Sequence, residues 1–262
     1  MLNLSELTDK VRALAIEAGD FIREERKKFH REAIEKKHAH DYVSYVDKES
    51  EKKIVTRLKE LLPEAGFIVE EGSGTLNDEQ YCWLVDPLDG TTNFIHDNAP
   101  YCVSIALRSK KELLLGVVYE ICRNECFWTY KGAPSYLNGN EIHVSAISNL
   151  DDSFIALGFP YATEEYKPMA NHLVNTLYGN VAGLRLMGAA AVELCYIAAG
   201  RFEARIEAFI GPWDIAAGTI ILQNAGGMIT DFKGGDSYSS GSQVLASNGR
   251  IHRDLLNIID NL

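Results

Sequence analysis

Residues 83–94 read Trp-Leu-Val-Asp-Pro-Leu-Asp-Gly-Thr-Thr-Asn-Phe, and this stretch decides both the fold class and the chemistry. Trp83, Leu84 and Val85 form an apolar run that reads as a buried strand. Asp86 stands at its end, Pro87 stops the ladder, and Asp89 adds a second carboxylate. Gly90, Thr91 and Thr92 follow, small and hydroxylated, where a helix can start and leave backbone N–H groups free. Clustered carboxylate oxygens suit a hard cation, and free N–H groups at a helix start suit a phosphate. Asp, Pro and Gly are also ordinary turn residues, so the stretch takes its weight from the rest of the chain.

At 262 residues, 46% hydrophobic and 24% charged, the composition is that of an ordinary globular protein able to bury a substantial core. Lys plus Arg total 26 against 37 Asp plus Glu, a formal net charge of −11. That balance argues against nucleic acid or an anionic membrane as partner. An anionic small substrate remains compatible if metal ions supply local positive charge. No apolar stretch approaches the ~20 residues of a membrane helix, and the opening residues carry no secretory pattern. Cys82, Cys102, Cys122, Cys126 and Cys195 are odd in number and lack the paired spacing of a zinc site. They read as buried free thiols, and a reducing cytoplasm is the expected setting.

Outward from the central stretch, Leu4, Leu7, Val11, Leu14, Ala18, Phe21 and Ile22 predict a long amphipathic first helix. Segment 26–41 is polar and reads as an exposed loop. A second helix follows Asp47 and closes at Pro63, and Phe67–Val69 is a short strand. Runs at 101–108, 112–121 and 125–130 predict an antiparallel meander. Beyond residue 140 helices and strands alternate: strand 153–158, helix 164–178, apolar helix 189–199, strand 202–208, a helix after Pro212, strands 228–232 and 244–247, and helix 251–260. A single catalytic domain of two lobes, approximately 1–138 and 139–262, is expected, with helices layered on sheets.

Four segments end an apolar strand or open a helix with an acid: Val46-Asp47, Val69-Glu70-Glu71, Val85-Asp86 through Asp89, and Trp213-Asp214. Asp47 and Asp214 also read as helix N-caps, a role worth ~1 kcal/mol, and Glu70 and Glu71 as turn residues. Their joint occurrence with the Gly-Thr-Thr turn points to a metal and phosphate site. Taken in order, Phe67–Glu71, Trp83–Phe94 and Pro212–Gly218 resemble the inositol monophosphatase family of metal-dependent phosphatases, essentially over the whole chain.

The resemblance implies a five-layer α-β-α-β-α sandwich, of the type shared with fructose-1,6-bisphosphatase. It implies two or three Mg²⁺ ions held by Glu70, Asp86, Leu88 (through its carbonyl), Asp89 and Asp214. Thr91, Asp47 and Glu70 are the implied catalytic residues, Thr91 bonding the attacking water with Asp47 as its orienting partner. Asp89, the Gly90 and Thr91 N–H groups, Gly188, Ala190 and Glu207 are the implied substrate contacts. Inositol monophosphate is the first expected substrate. Fructose-1,6-bisphosphate, the 2′-phosphate of NADP, 3′-phosphoadenosine 5′-phosphate and histidinol phosphate are the alternatives within the family. A homodimer and lithium sensitivity are family habits. Partners are thus expected to be small phosphorylated polyols, sugars or nucleotides, with no nucleic acid and no membrane. Lys36, in the polar loop, could approach a third metal or the phosphate. A non-catalytic binding module on the same fold would have at least one broken ligand position, yet every expected acid is present.

Overall fold

The computed structural model describes residues 2–30, 34–38, 41–72, 79–110, 112–159, 163–240 and 242–260. The chain opens with helix α1 (Leu4–Arg26), strands β1 (Ile34–His38) and β2 (Asp41–Ser44), and helix α2 (Tyr45–Leu61). Strands β3 (Gly66–Val69) and β4 (Tyr81–Asp89) precede the short helix α3 (Thr91–Ile95). A meander follows: β5 (Cys102–Ser109), β6 (Leu113–Glu120), β7 (Glu125–Tyr130), β8 (Ser135–Leu137) and β9 (Asn140–Ile142). The second half runs β10 (Phe154–Gly158), α4 (Thr163–Leu177), β11 (Gly183–Arg185), α5 (Ala190–Ala198), β12 (Ala204–Ala208), α6 (Pro212–Asn224), β13 (Met228–Thr230), β14 (Gln243–Ser247) and α7 (His252–Ile259).

β3 to β9 form a seven-stranded sheet in chain order, parallel only between β3 and β4. A five-stranded sheet has the order β11-β10-β12-β14-β13, parallel across β11, β10 and β12 and antiparallel beyond. Strand alternation sorts the side chains into layers. Trp83, Val85, Ile105, Val117 and Tyr119 pack on α1 and α2, while Leu84, Ala106, Val118 and Phe127 point the other way onto α5 and α6. Ala156, Val244 and Ala246 meet the same two helices from the five-stranded sheet, whose opposite face (Ile155, Ile206, Leu245) packs on α4 and α7. The result is the layered α-β-α-β-α sandwich that the resemblance implied. α6 lies close against the larger sheet because Gly116 has no side chain: a Cβ there would stand 2.6 Å from Ile220 Cγ2 and 2.7 Å from the Ala217 carbonyl.

Several expectations are corrected. The polar 26–41 segment contains β1, which pairs antiparallel with β2, Glu35 opposite Val43 and Lys36 opposite Tyr42. Asp47 and Asp214 are not N-caps. Ser44 and Gly211 hold those positions, and each acid sits three residues later, accepting the cap residue's N–H in capping-box fashion. Four of the five cysteines are buried free thiols, but Cys122 lies exposed in the β6–β7 turn. Among the described residues no helix is long and apolar enough to cross a membrane.

Candidate active site

The cleft lies on the seam between the sheets, where β4 ends and α3, α5 and α6 begin. At its centre is a bulge. Asp86 pairs with Ser104 and Asp89 with Cys102, so three steps on β4 oppose two on β5. Strict alternation would send Asp86 and Asp89 to opposite faces; the extra residue beside Pro87 returns both to the inner face. Glu70, Asp86, Leu88, Asp89, Gly90, Thr91, Gly188, Ala190, Glu207 and Asp214 all line one cavity of about 480 Å³. Of the expected site residues, Asp47 alone stands behind the wall, where its Oδ1 accepts the Thr91 hydroxyl at 2.9 Å. A cavity of about 530 Å³ on the other flank of α6, beside Arg108, Lys131 and Tyr238, contains none of the expected residues.

Each acid is held by donors of its own. Asp86, 2% exposed, accepts the Leu88 N–H at 2.9 Å. Asp89 caps the start of α5: its Oδ1 accepts the Ala190 N–H (3.1 Å) and its Oδ2 the Ala191 N–H (2.8 Å). Asp214 Oδ2 accepts the Gly211 N–H at 2.7 Å. Asp47 Oδ2 takes both the N–H and the hydroxyl of Ser44. The Thr91 hydroxyl also lies 3.0 Å from the Leu88 carbonyl, so its single proton serves either that oxygen or Asp47. Gly90 has φ +91, and a Cβ there would come within 2.9 Å of the Pro100 carbonyl. It opens α3 with no side-chain cap.

Burial and mutual repulsion load this cluster. Burial, then Glu70, Asp89 and Asp214, holds the Asp86 carboxyl well above the usual aspartate range. Burial pushes Asp89 up to about 6, against the pull of the α5 N–H groups. Asp214 is pushed up to about 8 by burial and by Glu70 and Asp89, and it hydrogen-bonds to Asp86. Burial also raises Asp47, opposed by Ser44 and Thr91. Among the described residues no three acids, histidines or cysteines already stand as a metal-holding group. The donor set nevertheless fits a hard cation: all oxygen, clustered, and costly to ionise together without one.

The structure adds residues that the sequence reading passed over. Arg205, buried on β12, ion-pairs with Glu193 of α5 and with Glu207. Glu51 of α2 accepts the Glu71 N–H at 2.8 Å and steadies the turn after Glu70. A signal existed for Glu193, the lone acid in the apolar helix 190–198. Ala190 does line the cavity, but its N–H is committed to Asp89. The Lys36 side chain lies outside the described residues.

A model of the inositol monophosphatase family matches residues 3–261. A relative from Pasteurella multocida, named Nus factor SuhB, is 39% identical over 225 residues, 85% of this chain and 84% of its own. The crystal structure of extragenic suppressor protein SuhB from Bartonella henselae superposes with a TM-score of 0.89 at 32% identity, covering 96% of this chain and 97% of that one. The inositol monophosphatase from Anabaena gives 0.89 at 30% identity, covering 100% and 98%. The Nus factor name, shared by an Escherichia coli relative at 38% identity, overturns the expectation that nucleic acid is excluded as a partner. Net charge sums the whole chain and does not describe the patch that a macromolecular partner meets.

Proposed function

The chain belongs to the inositol monophosphatase family, and from that premise we propose a magnesium-dependent phosphomonoester hydrolase that releases phosphate from inositol monophosphate or a similar polyol phosphate. Membership supports a phosphatase of this superfamily, in a family generally dependent on magnesium. The observation that carries the reading is one cleft lined by five carboxylates beside a Gly-Thr helix start. Glu70, Asp86, Asp89, Asp214 and the Leu88 carbonyl would hold two or three Mg²⁺ ions. Such ions, when bound, supply positive charge to the attacking and leaving oxygens of an in-line displacement. Donating its proton to Asp47, the Thr91 hydroxyl turns its lone pairs toward a water O–H. Glu70 completes the set that handles this water. The Gly90 and Thr91 N–H groups take phosphate oxygens. Glu207 accepts hydroxyls of the alcohol beside Gly188.

The test is phosphate release with and without Mg²⁺ from inositol 1-phosphate, fructose-1,6-bisphosphate, NADP, 3′-phosphoadenosine 5′-phosphate and histidinol phosphate. Mg²⁺-dependent release, fastest from inositol 1-phosphate, is expected. A folded protein that binds Mg²⁺ and releases phosphate from none of them would sink the reading. The relatives' names favour a second role as a Nus factor. An Asp86→Asn variant that loses phosphate release yet complements the loss of such a factor would separate the two roles.

A further inference from the structure

The alcohol half of the cleft is built around a side chain that the hydrolysis does not use. Arg205 precedes Glu207 by two residues on β12, so strand alternation points both side chains to the same face. Only 2% of Arg205 is exposed, yet it reaches the cavity wall. Its guanidinium is ion-paired with Glu193 and Glu207. Glu193, fully buried, accepts the N–H groups of Met187 (3.2 Å) and Gly188 (3.1 Å) through Oε1. Glu207 lies against Gly158, where a Cβ would stand 2.3 Å from the carboxyl carbon. One guanidinium therefore ties down two walls of the alcohol half: the Met187–Gly188 turn through Glu193, and the Glu207 carboxylate directly.

We propose that Arg205 is a positioning residue that sets which alcohols the cleft accepts, by holding Glu207 and the Met187–Gly188 turn in fixed relation. The inference rests on the phosphatase reading above. A carboxylate that accepts two vicinal hydroxyls has to be held in one orientation. Without a cation between them, Glu193 and Glu207 would be two neighbouring acids in a dry site, and one would swing away or take up a proton. Arginine suits the task because its planar fork serves two carboxylates at once, whereas lysine is a point charge.

The experiment compares Arg205→Met and Arg205→Lys with wild type on two substrates in Mg²⁺. These are inositol 1-phosphate and p-nitrophenyl phosphate, whose alcohol carries no further hydroxyl. Arg205→Met should raise KM for inositol 1-phosphate about 10-fold with a much smaller change in kcat, as expected when binding rather than chemistry is disturbed. The ratio of kcat/KM for the two substrates should fall by about the same factor, and Arg205→Lys should recover part of it. An unchanged ratio in folded Arg205→Met, or an equal loss on both substrates, would overturn the proposal. If the Met variant does not fold, the Lys variant decides on the same ratio: a shift supports the proposal and an unchanged ratio overturns it. Wild type silent on both substrates would end the inositol-phosphate reading, and this inference with it; an active wild type with the wrong ratio ends only the inference.

Discussion

Magnesium should stabilise this protein more at about pH 8 than at about pH 5, and two carboxyls set the size of the difference. Burial holds Asp89 up to about 6 and Asp214 up to about 8, against 3.8 for an ordinary aspartate. A carboxyl with a raised folded pKa binds its proton more tightly in the native state. Folding therefore loses stability as pH rises from the unfolded value through the folded one, here from about 4 to about 6 for Asp89 and to about 8 for Asp214. A cation that needs both groups ionised must displace these protons at low pH, at about tenfold in affinity per proton for each pH unit below the pKa. Asp89 alone accounts for about 1.4 kcal/mol between about pH 5 and 6. Asp214 extends the effect toward about pH 8, since it must also lose a proton before a cation can use both groups. At roughly 2–4 °C per kcal/mol for a chain of this size, the rise in Tm caused by excess Mg²⁺ should be at least about 3 °C greater at the higher pH. Thermal unfolding in EDTA and in Mg²⁺ across this range measures it. Groups remote from the cleft contribute equally to both curves, so the difference isolates the site. A Mg²⁺ shift independent of pH, or larger in acid, would refute the reasoning.

Replacing Asp86 with Asn should lower phosphate release at least about 100-fold, the scale of removing one oriented transition-state group. Its unfolding temperature should hold or rise, because the change removes a buried carboxyl crowded by Glu70, Asp89 and Asp214; a large drop would mark Asp86 as a structural acid instead. Gly116→Val should cost about 1–3 kcal/mol by overpacking and lower kcat/KM, since the backbone it strikes belongs to the helix whose first turn carries Asp214. Denaturation indistinguishable from wild type would contradict that packing. His252, buried between Thr230 and Ser247, has its pKa lowered to about 4. A buried neutral histidine loses stability as pH falls from about 6.5 to about 4, by about 3 kcal/mol in all. His252→Gln should flatten that slope in acid denaturation, and parallel curves would show that another group carries it.

What was legible in the sequence had a period or a distinctive residue order. The long helices and the strands of the meander announce themselves through apolar spacing, and the Trp83–Phe94 run marks the cleft. The β1–β2 hairpin escaped because its strands are polar and show no apolar alternation. β8, β9 and β11 escaped because three residues are too few to show alternation. Asp47 and Asp214 also read as caps because an acid at a helix start fits the cap and the third helical position equally well. The grip of α5 on Asp89 uses the N–H groups of Ala190 and Ala191, and backbone donors leave no mark in the residue names. Arg205 and Glu193 acquire meaning only when β12 and α5 are brought together, which no local pattern encodes.

The middle helical layer imposes a timetable on synthesis. A chain emerging N-terminus first has all the strands of the seven-stranded sheet in hand at Ile142. The face bearing Leu84, Ala106, Val118 and Phe127 is covered by α5 and α6, which begin at Ala190 and Pro212. Through that interval the half-made protein carries a bare apolar sheet, the kind of surface that chaperones shield and that aggregates form upon. Asp214 arrives with the same helix that closes this face. The complete set of acids can therefore come together only as this apolar face is hidden.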